Sequence, residues 1–157
     1  MFAFLKIILF LRLRINIFWK TQFVFFSTVR YQKFVEELDS YVRQVEEMQY
    51  YGDIEEVYRY QHKAQILENR LITAMNKIDK FNEEEVAFGW EITQYPLRKR
   101  IADRLVPFKK LFDCICEYLT KYDKWINSTI GSYNPEDIDN DVGTYYRSIF
   151  VKVISKL

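Results

Sequence analysis

Alternating aspartates near the C-terminal end are the residues in this sequence whose spacing most suggests chemistry. Asp137, Asp139 and Asp141 follow the order of the first ligands in a helix–loop–helix calcium site. Such a loop also needs glycine at its sixth position and a bidentate glutamate at its twelfth, where this chain has Val142 and Ser148. The acids therefore fit the start of a helix, where they complement the helix dipole, better than a metal site.

The side chains that catalyse most hydrolytic reactions are scarce. His62 is the single histidine, which removes two-histidine metal sites and most catalytic triads, and we expect it on a solvated helix face. Cys114 and Cys116 are two residues apart, so on a helix they project from different faces and favour neither a mutual disulfide nor shared metal ligation. We predict two half-buried free thiols in a reducing compartment.

Nucleotide chemistry is not predicted either. A P-loop places a glycine directly before a Lys-Ser or Lys-Thr pair, and none of the four glycines precedes a lysine. The acidic run at residues 83–85 reads as a solvated charge run near a helix end. The sequence therefore predicts no enzyme, no cofactor and no metal site in this chain.

Charge is distributed unevenly. Residues 1–30 hold five basic residues and no acid, so the remaining chain carries −4 of the net +1 charge. An acidic body argues against a nucleic-acid partner. The basic residues also interrupt the apolar N-terminal stretch, which is therefore a poor membrane span. Two interpretations of this stretch remain open: residues 1–29 lie as a basic-aromatic helix on an anionic membrane, or residues 1–30 are foreign to the fold.

Few glycines and prolines, together with helical periodicity, predict an all-α fold. Two stripes with heptad spacing, typical of coiled coils, are separated by a break at Tyr51 and Gly52, after which Asp53 is the expected N-cap. The break allows either an antiparallel hairpin or one nearly continuous rod. The first stripe is Tyr31, Phe34, Leu38, Tyr41, Val45 and Met48; the second is Val57, Tyr60, Ala64, Leu67, Leu71, Ala74, Ile78 and Phe81.

Residues 88–96 form a predicted structural joint. Gly89 offers a backbone without Cβ restrictions, and Pro96 biases Tyr95 away from helical geometry, so a helix should not pass straight through. Because the segment also carries Phe88, Trp90 and Ile92, we expect it to pack between the helices that it connects. The site residues predicted for this joint are Gly89, Trp90, Tyr95 and Pro96.

Shorter helices are predicted after the joint. Pro96 suits a first helical position, and Pro107 should kink or restart the helix. Residues 127–134 read as a loop, with Asn134 as the N-cap of a last helix. The expected stripe after Pro107 is Phe108, Leu111, Phe112, Ile115, Leu119, Tyr122 and Ile126. A basic patch, which either meets an acidic partner or balances neighbouring glutamates, consists of Arg98, Lys99, Arg100 and Arg104.

These segments resemble a known family. The segment from residue 89 to residue 96 is similar to the G-W-x-x-[ST]-x-[FY]-P pattern near the start of the linker (N-terminal region 2) of dynein heavy chains, especially axonemal ones. The resemblance continues, in order, through LVPFKKLF at 105–112, WIN at 125–127 and DVGTYYR at 141–147. It covers about residues 31–151. Residues 31–87 are similar to tail helices, and residues 88–151 to the start of the linker; residues 1–30 and 152–157 depart from the pattern.

The resemblance implies a function. In dynein heavy chains the linker is a helical lever over a ring of ATPase modules, whose nucleotide and microtubule sites lie in later modules. This chain is thus expected to be a non-catalytic, elongated fragment made of long helices and a short helical bundle. Its expected partners are other parts of a dynein heavy chain or other dynein subunits, with no direct microtubule contact, in the cytoplasm at the cytoskeleton or ciliary axoneme. The alternatives are a stand-alone helical scaffold and a membrane-surface helical protein.

Overall fold

Four α-helices account for most of the residues that the structure describes. The computed structural model describes residues 2–129 and 131–149, with backbone alone for residues 2–13, 15–17 and 19–26. The helices in that part are α1 (Phe2–Met48), α2 (Val57–Phe88), α3 (Pro96–Asn127) and α4 (Pro135–Arg147), and it contains no strand. The predicted all-α class is therefore confirmed. The predicted elongated shape and the four segments expected from composition stay predictions, and residues 152–157 lie outside the described part.

The chain forms two compact units, residues 1–40 and residues 41–157. In the first unit α1 is continuous through residue 30, where the charge pattern changes. Phe34 and Leu38, both on the first predicted stripe, are 3% and 1% exposed. Among the described helices, none has an apolar stretch of the length that crosses a lipid bilayer.

In the second unit, α2 lies antiparallel to the last turns of α1. Arg70 Nη1 of α2 donates to Gln44 Oε1 at 3.1 Å, and Lys63 Nζ lies 3.6 Å from Glu47 Oε1. The residue number of the partner rises from 44 to 47 on α1 while it falls from 70 to 63 on α2, as it does in an antiparallel helical hairpin. Of the two arrangements that the sequence left open, the structure therefore contains the antiparallel one.

The hairpin is possible because α2 begins later than predicted. Its first residue is Val57 and its N-cap position is Glu56, which makes no side-chain cap. Asp53 is thus not the N-cap: its Oδ1 accepts a hydrogen bond from the Glu55 backbone N–H at 3.0 Å. An aspartate that bonds the backbone two residues on stabilises a turn in place of a helix start. Residues 49–56 are therefore free to reverse the chain.

Helix α3 runs antiparallel to α2 along most of its length. Gln61 Nε2 donates to Asp113 Oδ1 at 2.7 Å, and Lys109 Nζ lies 2.8 Å from Glu68 Oε2. Both predicted stripes supply the core. Its buried apolar residues in this unit are Tyr41, Val45, Met48, Val57, Ala64, Leu67, Leu71, Ala74, Phe81, Ile101, Leu105, Phe112 and Cys116.

Pro107 does not restart the helix, which was one of the two effects expected of it, because it lies inside the continuous 32-residue helix α3. An internal proline costs about 3 kcal/mol, but Leu105 and Phe112 on either side of it are buried in the same core. The carbonyl that the proline ring leaves without its helical donor belongs to Asp103, which is exposed and open to water.

The C-terminal part of the predicted α3 stripe does not face the core, since Tyr122 and Ile126 are 43% and 60% exposed, so that part of the prediction is also wrong. The reason is the position at which α2 begins. The Tyr58 and Thr120 hydroxyls meet at 3.3 Å, so α3 residues beyond Thr120 extend past the start of α2 and have no α2 surface to face. Trp125, which was off the predicted stripe, is half-buried there.

Helix α4 begins as predicted. Asn134 is its N-cap, with the side chain accepting from the Glu136 backbone N–H at 3.2 Å, and Pro135 occupies the first helical position. It contacts the end of α3 through Lys121 and Asp141, 2.7 Å apart. No residue of α4 is buried.

Candidate functional site: the corner between α2 and α3

The predicted joint begins with the end of α2. The helix ends at Phe88, and Gly89 has a left-handed φ of 69°. The Gly89 N–H donates to Val86 O at 3.0 Å and the Trp90 N–H to Glu85 O at 2.8 Å. This pair of bonds is the Schellman motif, which satisfies the last helical carbonyls and requires a positive φ that glycine adopts without strain. Residues 88–96, which we call the corner, thus start with a tight reversal.

A buried carboxylate holds the middle of the corner. Glu85 is 2% exposed. Its Oε2 accepts from the Thr93 backbone N–H at 2.7 Å, and its Oε1 accepts from Thr93 Oγ1 at 2.6 Å. We call this two-bond contact the Glu85–Thr93 clasp. Hydrogen bonds to an ionised acceptor are stronger than neutral ones, and a buried carboxylate needs them.

The clasp corrects the prediction of a solvated acidic run. Glu83 is exposed and Glu84 half-buried, but Glu85 is buried. The signal that identifies Glu85 is its register: it follows Phe81 by four residues and so continues the core stripe of α2. Thr93, its donor, gives no such signal, because residues 89–95 are not helical and have no period.

The rest of the corner runs back along α2. The rings of Tyr95 and Phe81 lie 6.4 Å apart, and Arg98 Nε donates to the Leu71 carbonyl at 3.2 Å. Pro96 is the first residue of α3, where its missing N–H leaves no helical bond unmade. The contacts at residues 93, 95 and 98 meet α2 at residues 85, 81 and 71. The corner, together with Arg98 in the first turn of α3, is therefore attached to α2 along several turns.

The aromatic residues of the corner are less buried than expected. Trp90 is half-buried and stacks on Phe88, with ring centroids 5.2 Å apart. Phe88 and Ile92 are 40% and 49% exposed, so the expectation that they pack between the helices is wrong. The contact nearest the middle of the corner is polar, and the Glu85–Thr93 clasp leaves the apolar side chain of Ile92 on the outside.

The remaining candidates for chemistry are dispersed. His62 is exposed, and Cys114 and Cys116 are free thiols whose pKa values are raised, first by burial and then by nearby carboxylates. Within the described residues no group of three histidine, cysteine, aspartate or glutamate side chains could hold a metal ion. Asp141, from the calcium-like series, is ion-paired with Lys121.

The predicted basic patch partly serves the fold. Arg98 donates to the Leu71 carbonyl in the middle of α2, and Arg104 Nη1 lies 3.5 Å from Glu46 Oε1 of α1. Lys99 and Arg100 are exposed. A groove of about 760 Å³ lies between the end of α1 and α3 and includes Arg100 and Arg104 in its lining. The lining combines apolar side chains with both charges, since Glu46 and Asp103 lie there beside the two arginines.

Comparison with known proteins places these features in context. No protein-family model matches the chain, and no solved structure matches it. Dynein axonemal heavy chain 12 of Homo sapiens is 24% identical over 119 residues, which are 76% of this chain and 4% of that protein. Dynein axonemal heavy chain 3 of Mus musculus is 25% identical over 96 residues, 61% of this chain and 2% of that protein.

The chain thus spans about 4% or less of the length of these relatives. The similarity agrees with the resemblance carried by the Gly89–Pro96 pattern, and the predicted relationship is confirmed at that level. Over about three quarters of its length, this chain is similar to axonemal dynein heavy chains.

Proposed function

We propose that this chain is a non-catalytic segment from the start of a dynein-type linker, acting as a mechanical element in microtubule-based movement of cilia or flagella. The observation that carries the proposal is the 119-residue similarity to an axonemal heavy chain. Because the similar region is a small part of each relative, the segment acts as one part of a larger machine.

The contacts of the α2–α3 pair support a mechanical role. Each helix has 32 residues, which is about 48 Å at 1.5 Å per residue. Side-chain hydrogen bonds and an ion pair at residues 58, 61, 68 and 71 of α2 connect it to α3, and the corner joins the C-terminal end of α2 to the N-terminal end of α3. Helices joined at both ends move together, so a displacement of α2 is passed to α3.

The proposal includes the absence of catalysis by this chain. The sequence has no P-loop, and hydrolysis of ATP belongs to other modules of the machine. The partners are other parts of a dynein heavy chain or other dynein subunits, and the location is the ciliary axoneme. We expect a purified sample of this chain to show no ATPase activity above the buffer blank.

Sequencing of the transcript beyond both ends of this chain tests the proposal. An open reading frame that continues into P-loop modules supports it. In-frame stop codons on both sides overturn it as a statement about a working motor, since the segment would then have no modules to act on. A tagged copy expressed from its own locus should co-purify with axonemes; a tag found away from axonemes contradicts the proposed location.

A further inference from the structure

The second half of α2 carries an apolar stripe on its exposed surface. Ile72, Met75 and Val86 are 53%, 49% and 60% exposed. Together with Asp79 and Asn82 they are spaced by three or four residues, so all five lie on one face of the helix. We call this face the α2 ridge. It is offset by one residue from the buried stripe of α2 and is therefore a separate surface from the core.

The polar groups of the ridge are hydrogen-bond acceptors. Asp79 is exposed, and so is Glu83, which lies beside the ridge one turn further on. Neither carboxylate forms an ion pair within the described residues, although Lys80 is close to both in sequence. Asn82 Oδ1 is buried and receives no hydrogen bond from the described part of the chain. A buried acceptor without a donor is unfavourable, so the ridge favours a partner that supplies N–H donors and positive charge.

The groove between the end of α1 and α3 is long enough to receive most of the ridge. Both helices run antiparallel to α2, so they run parallel to each other and the groove follows their axes. On α3 the groove extends from Leu97 to Phe108, which is about 16 Å at 1.5 Å per residue, or about three turns. Ile72 and Val86 are about four turns apart on α2. The apolar lining of the groove consists of Val42, Val45, Leu97, Ile101, Pro107 and Phe108.

The charge of the groove complements that of the ridge. Arg100 is exposed and forms no ion pair within the described residues. Arg104 lies 3.5 Å from Glu46 Oε1, but both side chains are more than half exposed, so this pair is weak. Guanidinium groups bind carboxylates through two parallel hydrogen bonds, so the α3 wall offers the donors that the acceptors of the ridge lack. The acids of the groove are Glu46 and Asp103, and Lys80 at the edge of the ridge is a cation that suits them.

We propose that this chain self-associates head to tail, with the α2 ridge of one copy docked in the α1–α3 groove of a second copy. Ile72, Met75 and Val86 then cover the apolar lining, and Arg100 and Arg104 bond the acceptors of the ridge. The buried stripe of α2 already holds the end of α1 and α3, so the ridge cannot turn into the groove of its own copy. Because ridge and groove are different surfaces, each contact leaves one of each unused, and further copies can add. This inference concerns surfaces of the chain itself and does not depend on the proposed function.

Sedimentation velocity of the full chain tests the interface. We expect the average mass to rise above the 19.2 kDa of one chain as the concentration increases from about 1 μM to about 100 μM. The ridge variant, Ile72→Ser with Met75→Ser, should weaken this association about ten-fold or more, because two apolar side chains no longer cover the groove. Ile66→Ser is the matched control, since Ile66 is exposed on another face of α2, and it should leave association unchanged.

A change in the groove should have the same effect. The groove variant, Arg100→Glu, places a carboxylate opposite the acceptors of the ridge and should weaken association to a similar degree. Lys110→Glu is its control, because Lys110 is exposed on α3 outside the groove and forms no ion pair within the described residues. This control should associate like the original chain.

Mixing the two variants gives the decisive result. The ridge variant keeps an intact groove and the groove variant keeps an intact ridge, so an equimolar mixture should form dimers of one copy of each and nothing larger. A mixture that behaves as the sum of its components, or that forms larger arrays, overturns the proposal. So does an original chain that stays monomeric at about 100 μM, or association that either variant retains in full. Val86→Ser, at the other end of the ridge, replaces the double variant if that variant does not fold.

Discussion

The Glu85–Thr93 clasp should respond strongly to loss of one hydroxyl. In Thr93→Val the β-branched shape is kept, but the 2.6 Å hydrogen bond from Oγ1 to Glu85 disappears. The backbone N–H bond at 2.7 Å remains. Thr93 itself is exposed, so the change removes no buried apolar contact. The measured effect is therefore that of the hydrogen bond.

The expected magnitude follows from the burial of the acceptor. A hydrogen bond to a charged group contributes about 1.5–3 kcal/mol, and Glu85 is 2% exposed, which leaves little room for water to replace the donor. We expect Thr93→Val to lower the free energy of unfolding by about 1.5–3 kcal/mol. The assay is urea unfolding followed by far-ultraviolet circular dichroism, with an unchanged m-value required for the comparison.

A second threonine provides the control. Thr73 is exposed on α2, and its hydroxyl donates only to the Asn69 carbonyl of its own helix, at 3.0 Å. Thr73→Val should change stability by at most about 0.5 kcal/mol. Glu85→Gln, alone and with Thr93→Val, completes a double-mutant cycle whose coupling energy should exceed about 0.5 kcal/mol. If Thr93→Val costs no more than Thr73→Val, the clasp does not hold the corner.

Three further changes test the corner and its supports. Gly89→Ala should lower the free energy of unfolding by about 1–2 kcal/mol through backbone strain alone, because φ is 69° and an added Cβ would meet no atom within 4 Å. The control is Gly143→Ala inside α4, where the added Cβ also meets no atom and should stabilise the protein by about 0.5–1 kcal/mol. A loss of stability at both sites would refute the strain argument. The Trp90→Ala variant should cost about 1–3 kcal/mol in the same urea assay, less than a fully buried tryptophan, and a change under about 1 kcal/mol would show that the Phe88 stack is not packed. The hydrogen bond from Lys109 lowers the pKa of Glu68, so the stability that this pair contributes is present above about pH 5 and is lost as the pH falls through that lowered pKa. In urea unfolding measured across pH, Glu68→Gln should lower the free energy of unfolding by about 1 kcal/mol or less at neutral pH, and the variant should lose less stability on acidification than the original chain. The same dependence of stability on pH in both proteins would contradict this.

The clasp also explains how the corner holds the start of α3 against α2. The corner contacts α2 at Glu85 and Phe81, and Arg98 in the first turn of α3 donates to the Leu71 carbonyl. The prediction of a structural joint named Gly89, Trp90, Tyr95 and Pro96, and the clasp adds Glu85 and Thr93 to that set.

Several elements were predictable from the sequence because their causes are local. Helical periodicity identified the faces that carry Leu67, Leu71 and Ala74, all of which are buried. Asn134 and Pro135 marked the start of α4 because capping needs only the adjacent backbone. Residue order alone carried the similarity to axonemal dynein heavy chains.

Tertiary structure decided the rest, because a periodic face is buried only where a second helix lies opposite it. The stripe through Tyr122 and Ile126 has the right spacing, yet it lies past the start of α2 and stays exposed. Glu85 shows the converse: its charge suggests solvent, but its register places it on the core face. Its partner Thr93 lies in a segment without periodicity, so only the folded path of the chain brings the two together.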